Sequence, residues 1–233
     1  MNPVKALHVR LEALTASFRH PLILSGTQIS TSMPAYSNVL GMLSACAGRS
    51  VTPNDTQIGF EFHCDSQDVE LERTTRWQMD KQNRLKPHSK GSGINRRQVY
   101  WRPRLDLYIT NQSLQNIFER PAATPCFGRS QDIAWIKWVR HVDLHPVPKG
   151  RLGPTLIPFP QPGIAGLIVR LPEWFENTSS GKARRAGPFG HYFAMLSTTG
   201  TIRFEVSRPN LFHPSDADAD NDVIYLHQWL SND

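Results

Sequence analysis

Residues 73 to 104 concentrate the charge of this chain, and whatever surrounds them must fold so as to leave their cations in contact with water. They hold ten cationic side chains, Arg73, Arg76, Lys81, Arg84, Lys86, Lys90, Arg96, Arg97, Arg102 and Arg104, against one acid, Asp80, for a net charge of +9. The whole chain carries +6, from 26 basic and 20 acidic residues, so the remainder sums to −3. Taking an unpaired charge out of water is costly, so this stretch reads as an arm that projects from the fold. Trp77, Tyr100 and Trp101 sit among the cations, and Gly91-Ser92-Gly93 lies near the middle. Arg and Lys interleaved with aromatics suit a phosphate backbone and unstacked bases together, so a nucleic acid is the first expected partner. The competing reading, a solvated and partly disordered arm, leaves three aromatics out of place.

The sequence on either side predicts an α+β core. Leu7, Val9, Leu11 and Ala13 alternate with His8, Arg10 and Glu12, so residues 4 to 14 predict a half-buried strand. Phe18 to Pro34, rich in Ser, Thr, Gly and Pro, predicts a long loop. Ser37 reads as the cap of a short helix whose apolar residues Val39, Leu40, Leu43, Cys46 and Ala47 fall at helical spacing and which Gly48 ends. Ile58, Phe60, Phe62 and Cys64 predict a second strand; Leu105, Leu107 and Ile109 predict a third beyond the arm. Ser113 to Phe118 reads as a short helix. Ile133 to Leu144 predicts a strand buried on much of both faces. The order strand, helix, strand, strand, helix, strand predicts a ferredoxin-like palm, the framework of RNA-recognition domains.

After Pro146 the texture changes. Pro146, Pro148, Pro154, Pro158, Pro160 and Pro162 predict an extended connector. Strand-like runs follow at Ile164 to Leu171, His191 to Leu196, Thr201 to Val206 and Val223 to Leu230, with a basic loop Lys182-Ala183-Arg184-Arg185. Residues 1 to 145 thus read as the palm with its insertion, and 146 to 233 as connector and a small β-rich portion.

Several function classes are disfavoured. No apolar run approaches the roughly 20 residues that span a bilayer. Met1-Asn2-Pro3-Val4-Lys5 leads straight into a strand pattern with no secretory core. Cys46, Cys64 and Cys126 are odd in number and match no zinc spacing, which predicts reduced thiols in a cytoplasm. Asp216, Asp218, Asp220 and Asp222 start like a calcium loop, but Asn221 stands where the glycine belongs and His227 where the bidentate Glu belongs. His141 and His145, four apart along a strand, are about 13 Å from one another and bind no zinc. No Gly-rich phosphate loop or nucleophile elbow is present, so no cofactor and no metal is expected. Trp135, Trp138 and Trp229 read as core or interface residues.

Three stretches, in this order, resemble a known family: Ser17-Phe18-Arg19, Pro34-Ala35-Tyr36-Ser37-Asn38-Val39-Leu40-Gly41-Met42-Leu43, and Phe127-Gly128-Arg129-Ser130. With the basic insertion between them, they look like the fifth CRISPR-associated (Cas) protein family, in a type I-B-like form. The resemblance covers the N-terminal two thirds. It implies a ferredoxin-like palm with a β-hairpin thumb inserted between its second and third strands, here Arg73 to Arg104 with Leu85 to Gly93 as its tip. It also implies a Cascade subunit that grips the repeat-derived 5′ handle of the guide RNA and caps the complex. The implied protein partners are the backbone (family seven) and large (family eight) subunits, with target DNA reached through the complex and no membrane.

The residues implied to meet RNA are Ser17, Arg19, Ser37, Asn38, Arg73, Arg76, Trp77, Lys81, Arg84, Lys86, Lys90, Arg96, Arg97, Trp101, Arg102, Gly128 and Arg129. The helix start would offer backbone N–H groups to a phosphate, and Gly128 would permit close backbone approach beside Arg129. Without the family, Gly128-Arg129-Ser130 is an ordinary turn and Arg19 a surface charge. No catalysis is expected. The enzymatic alternative within the family is metal-independent cleavage of guide precursor, for which Tyr36, His88, Lys90 and Tyr100 are the candidate groups. The alternative outside it is a general RNA-binding protein.

Overall fold

The alternating run at the N-terminus forms the middle of the main sheet. In a computed structural model, which describes residues 2–20, 27–177, 184–195 and 202–230, β1 (Val4–Ala13) buries Leu7, Val9 and Leu11 completely. β2 (Thr15–Ala16) and α1 (Tyr36–Ala47) follow, then β3 (Ile58–His63), β4 (Ser66–Met79), β5 (Leu85–Trp101) and β6 (Arg104–Ile109). A 3-10 turn at Gln112–Leu114 and α2 (Asn116–Glu119) lead into β7 (Ala134–Leu152). The described remainder holds β8 (Leu156–Pro158), β9 (Gly166–Pro172), β10 (Phe175–Asn177), β11 (Arg184–Ala186), β12 (Phe189–Met195), β13 (Phe204–Pro214) and β14 (Asp222–Tyr225). The fold is mostly β, consistent with an α+β class. Lys182, Ala183, Leu196 and Thr201, parts of predicted segments, lie outside the described residues.

The main sheet runs in the order β13-β14-β7-β1-β6-β3. β1 pairs antiparallel with β6 and β7, and β3 pairs antiparallel with β6; β14 lies parallel to β7. Val39, Leu40 and Leu43 of α1 join Leu7, Leu11, Phe60, Phe62, Leu105 and Leu107 in one hydrophobic cluster. Each of these buried side chains stabilises the fold by roughly 1.5–3 kcal/mol. The same cluster extends to Leu156, Tyr192 and Tyr225, so both halves of the sequence share a core. Tyr36 shows the joint: its hydroxyl donates to the Leu156 carbonyl at 2.7 Å and its ring stacks on His227 at 3.8 Å.

Three expectations need correction. α1 starts at Tyr36 with Ala35 as its N-cap, so Ser37 lies in the first turn; the carboxamide oxygen of Asn38 accepts from the Ala35 N–H at 2.9 Å. Gly48 ends the helix as expected, in the left-handed region at φ 63°. β7 is not buried on both faces: Trp135 is 43% exposed, on the face of β7 that it shares with Glu12 of β1. It also continues through Pro146 and Pro148, where the extended chain pairs with β13. Among the described residues, no helix is long and apolar enough to cross a membrane, and no group of three His, Cys, Asp or Glu gathers as a metal site.

Candidate nucleic-acid interface

β4 and β5 pair antiparallel into a long hairpin that runs from Ser66 to Trp101 and holds eight basic and four acidic residues. The acids are not mixed evenly with the cations. Asp68, Glu70 and Glu72 sit on β4 near the base, where Arg96 and Arg97 of β5 lie opposite Leu71 and Glu70, while the other cations lie from Arg73 outward. Among the described residues, Arg73, Arg76, Lys81, Lys86, Lys90 and Arg96 have no carboxylate within ion-pair distance, and all six are exposed. Trp77 and Trp101 are 54% and 50% exposed. The turn lies at Asp80 to Arg84, not at Leu85 to Gly93. Asp80 Oδ1 accepts from the backbone N–H groups of Gln82 and Arg84, and Asn83 takes the left-handed conformation at φ 57°. Gly91 serves an irregularity within β5, at φ 61°.

Register sorts the hairpin into two faces, because directly opposed residues share a side. Val69, Leu71, Arg73, Ile94 and Arg96 lie on one face, with Leu71 and Ile94 69% and 70% exposed. Glu70, Glu72 and Arg97 lie on the other. There the Arg97 guanidinium makes two hydrogen bonds to Glu72, at 2.7 and 2.9 Å. Arg129 is spent in the same way: it holds Asp132 through two nitrogens at 2.8 Å each and also pairs with Glu70. Asp132 and Glu70 raise its pKa further above the ordinary arginine value. Arg129 therefore braces the hairpin base against the turn after Phe127 and does not extend toward solvent. Arg84 and Arg102 are exposed but lie 3.4 and 3.2 Å from Asp80 and Asp65.

A second surface surrounds the first turn of α1. Three adjoining hollows, of about 440, 390 and 450 Å³, share Ser37, Phe175 and Arg184 in their walls. Asn38 and Gly128 line the second, and Arg19 and Asn38 the third. Among the described residues, no Asp or Glu lines any of the three. Gly128 is required where it stands: at φ 105°, a Cβ there would lie 2.1 Å from the Ser17 carbonyl oxygen. Ser17 itself is buried, its hydroxyl 2.9 Å from that of Ser30 and 3.0 Å from the Gln98 carbonyl. The Gln28 N–H donates to Arg96 O and the Gln98 N–H to Gln28 O, so the loop beside the hollows is sewn to the hairpin base. Of the sequence candidates, Arg19, Ser37, Asn38 and Gly128 thus come together, the hairpin cations form a separate group, and Ser17, Arg97 and Arg129 support them from within. Phe175 and Arg184 were missed. Arg184 belongs to the basic run that the sequence displays, but nothing in Trp174-Phe175 says which ring faces out.

The candidate cleavage groups do not meet. Tyr36 and Tyr100 are buried, their hydroxyls given to the carbonyls of Leu156 and Thr31, and burial pushes both phenols above their ordinary pKa. His88 and Lys90 lie on the hairpin.

A third charged region occupies the outer face of β1, β6 and β7, a hollow of about 200 Å³. Arg10, Arg104 and His8 lie 2.6, 3.2 and 3.4 Å from Asp106; His8 Nδ1 is also 2.7 Å from Asp216. Arg203 joins Glu61 at 2.7 Å and Asp222 at 3.2 Å. Among the described residues, Arg10, Arg104 and Arg203 are matched with carboxylates here, while Arg140 packs on the Trp138 ring.

No protein-family model matches the sequence, and no curated protein matches it significantly. Solved structures do resemble the fold. A chain described as "CRISPR RNA-guided surveillance complex" is 16% identical, with a TM-score of 0.55 over 87% of this chain and 91% of its own. A CRISPR protein from Archaeoglobus fulgidus is 12% identical over 96% of this chain and 100% of its own, with a TM-score of 0.47. A chain of a Type III-B Cmr-beta complex bound to cognate target RNA is 14% identical over 88% and 86%, with a TM-score of 0.48. The first likeness is one of fold; the other two scores are too low to build on.

Proposed function

We propose that this chain is a non-catalytic subunit of a CRISPR RNA-guided complex that binds the repeat-derived 5′ handle of the guide RNA. The observation that carries this reading is the hairpin. Six exposed cations without an ionic partner project on an insertion between β3 and β6, and its base is tied to a hollow free of carboxylates. The order β7-β1-β6-β3, with α1 and α2 in its connections, supports a ferredoxin-like palm. The fold likeness to a chain of a CRISPR surveillance complex supports the same setting.

On this reading the chain is a fifth-family, type I-B-like Cas protein acting in the cytoplasm, with β4 and β5 as its thumb. The cations meet handle phosphates, while Arg129 and Arg97 hold the thumb at its angle. The family-seven and family-eight subunits bind around it, and target DNA is reached through the complex. The commitment of Tyr36 and Tyr100 to the core supports a grip without cleavage. Co-expression with neighbouring genes and a CRISPR array, followed by sequencing of the bound RNA, tests this. The expected product is one RNA class with a repeat-derived 5′ end and protein partners at fixed stoichiometry. A scatter of RNAs with no common end would sink the reading in favour of a general RNA-binding protein.

A further inference from the structure

We propose that Phe175 is the stacking platform of a pocket for one unstacked RNA nucleotide, with Arg19 and Arg184 taking its phosphate. This rests on the reading of the chain as an RNA-binding subunit and assigns a residue-level site within it. The hollow bounded by Arg19, Ser37, Asn38, Phe175 and Arg184 is about 450 Å³, within the range of small-ligand sites and far too small for a duplex. Phe175 is 43% exposed and has no polar atom, so its ring offers a π-face and dispersion, not hydrogen bonds. β10 and β11 pair Phe175 with Ala186 and Asn177 with Arg184. Phe175 and Arg184 therefore share one face of this ribbon, and the Glu176–Arg185 pair takes the other. The one carboxylate of the ribbon is turned away from the hollow. Arg19 enters from the loop after β2 and Arg184 from β11, and neither has an ion-pair partner among the described residues. The Asn38 carboxamide oxygen is committed to Ala35, which leaves its NH₂ as a donor beside the Ser37 hydroxyl. Aromatic wall, two cations and donors without an acid is the set that a base with its phosphate requires.

The test uses the full chain with two single-stranded RNAs, an oligouridine octamer and a repeat-derived 5′ fragment, each carrying one photoreactive 4-thiouridine scanned along its length. Crosslinks should fall on the peptide containing Phe175 for one nucleotide position. Phe175→Leu, which keeps apolar bulk and removes the π-face, should weaken binding about 5- to 150-fold, the range of one stacked base. Phe175→Trp should restore it, and Arg19→Gln with Arg184→Gln should flatten the salt dependence. Phe175→Leu binding like the wild type, with crosslinks elsewhere, overturns the pocket. If the repeat-derived RNA is preferred but Phe175→Leu is silent, the pocket falls and the handle reading stands. If Phe175 matters equally for both RNAs and neither is preferred, the pocket stands and the handle reading falls. Binding of neither RNA overturns both.

Discussion

The outer face of the main sheet and the surface around the start of α1 both gather arginine, and they treat it in opposite ways. On the outer face each guanidinium of Arg10, Arg104 and Arg203 lies within 3.2 Å of a buried carboxylate, and Trp138 packs against Arg10 and Arg140 at 4.8 and 4.3 Å from its ring centre. Around α1, Arg19 and Arg184 face a hollow with no acid among the described residues of its walls. The hairpin repeats the contrast along its own length: Arg97 is tied to Glu72 near the base and Arg84 to Asp80 at the turn, while Arg73, Arg76, Lys81, Lys86 and Lys90 are left to solvent. Positive residues do not by themselves mark a binding surface; those without an internal counterion do, because only they gain by meeting a phosphate.

The contrast predicts opposite responses to mutation. Asp106→Ala should cost about 3–5 kcal/mol in denaturant unfolding, since it leaves Arg10, Arg104 and His8 without their shared buried anion. Arg19→Gln with Arg184→Gln should change stability by less than about 0.5 kcal/mol, as exposed residues do. Equal costs for the two variants would erase the distinction. A smaller effect is expected with pH. Burial pushes the His8 pKa down, but hydrogen bonds and charge from Asp106 and Asp216 outweigh it and hold His8 above its ordinary 6.5. A raised folded-state pKa stabilises fully below 6.5, and that contribution is lost as pH rises through the folded value. Unfolding free energy should therefore fall as pH rises above 6.5, and His8→Gln should remove that part of the slope. An unchanged profile in His8→Gln would mean that His8 is neutral between its two carboxylates.

What the sequence revealed and what it hid follow from the range of the interactions. β1 and α1 were readable because the alternation of Leu7, Val9 and Leu11 and the spacing of Val39, Leu40 and Leu43 are local signals, as is Gly48 at the helix end. The unpaired hairpin cations were readable because their mutual proximity in sequence persists in the fold. Arg129 was only half legible: Asp132, its main partner, lies three positions on, but Glu70 lies 59 positions away and comes beside it only when the hairpin base closes. The hairpin turn could have been placed: Asp80 and Asn83 are the turn formers, while Gly91 and Gly93 drew attention to the wrong segment. β7 hid behind Pro146 and Pro148, which signal an extended chain without saying that β13 will pair with it. Phe175 carries no local mark at all, because its orientation depends on the pairing of β10 with β11.

The claim that unpaired cations, and not paired ones, hold the RNA is tested most directly by the salt dependence of single-stranded RNA binding. Replacing Arg73, Arg76, Lys81, Lys86, Lys90 and Arg96 together with Gln should reduce the slope of log K against log salt by about 4, at roughly 0.7 per phosphate contact. Arg97→Gln should leave that slope unchanged. A six-residue variant that keeps the wild-type slope, or an Arg97→Gln variant that loses it, would contradict the account.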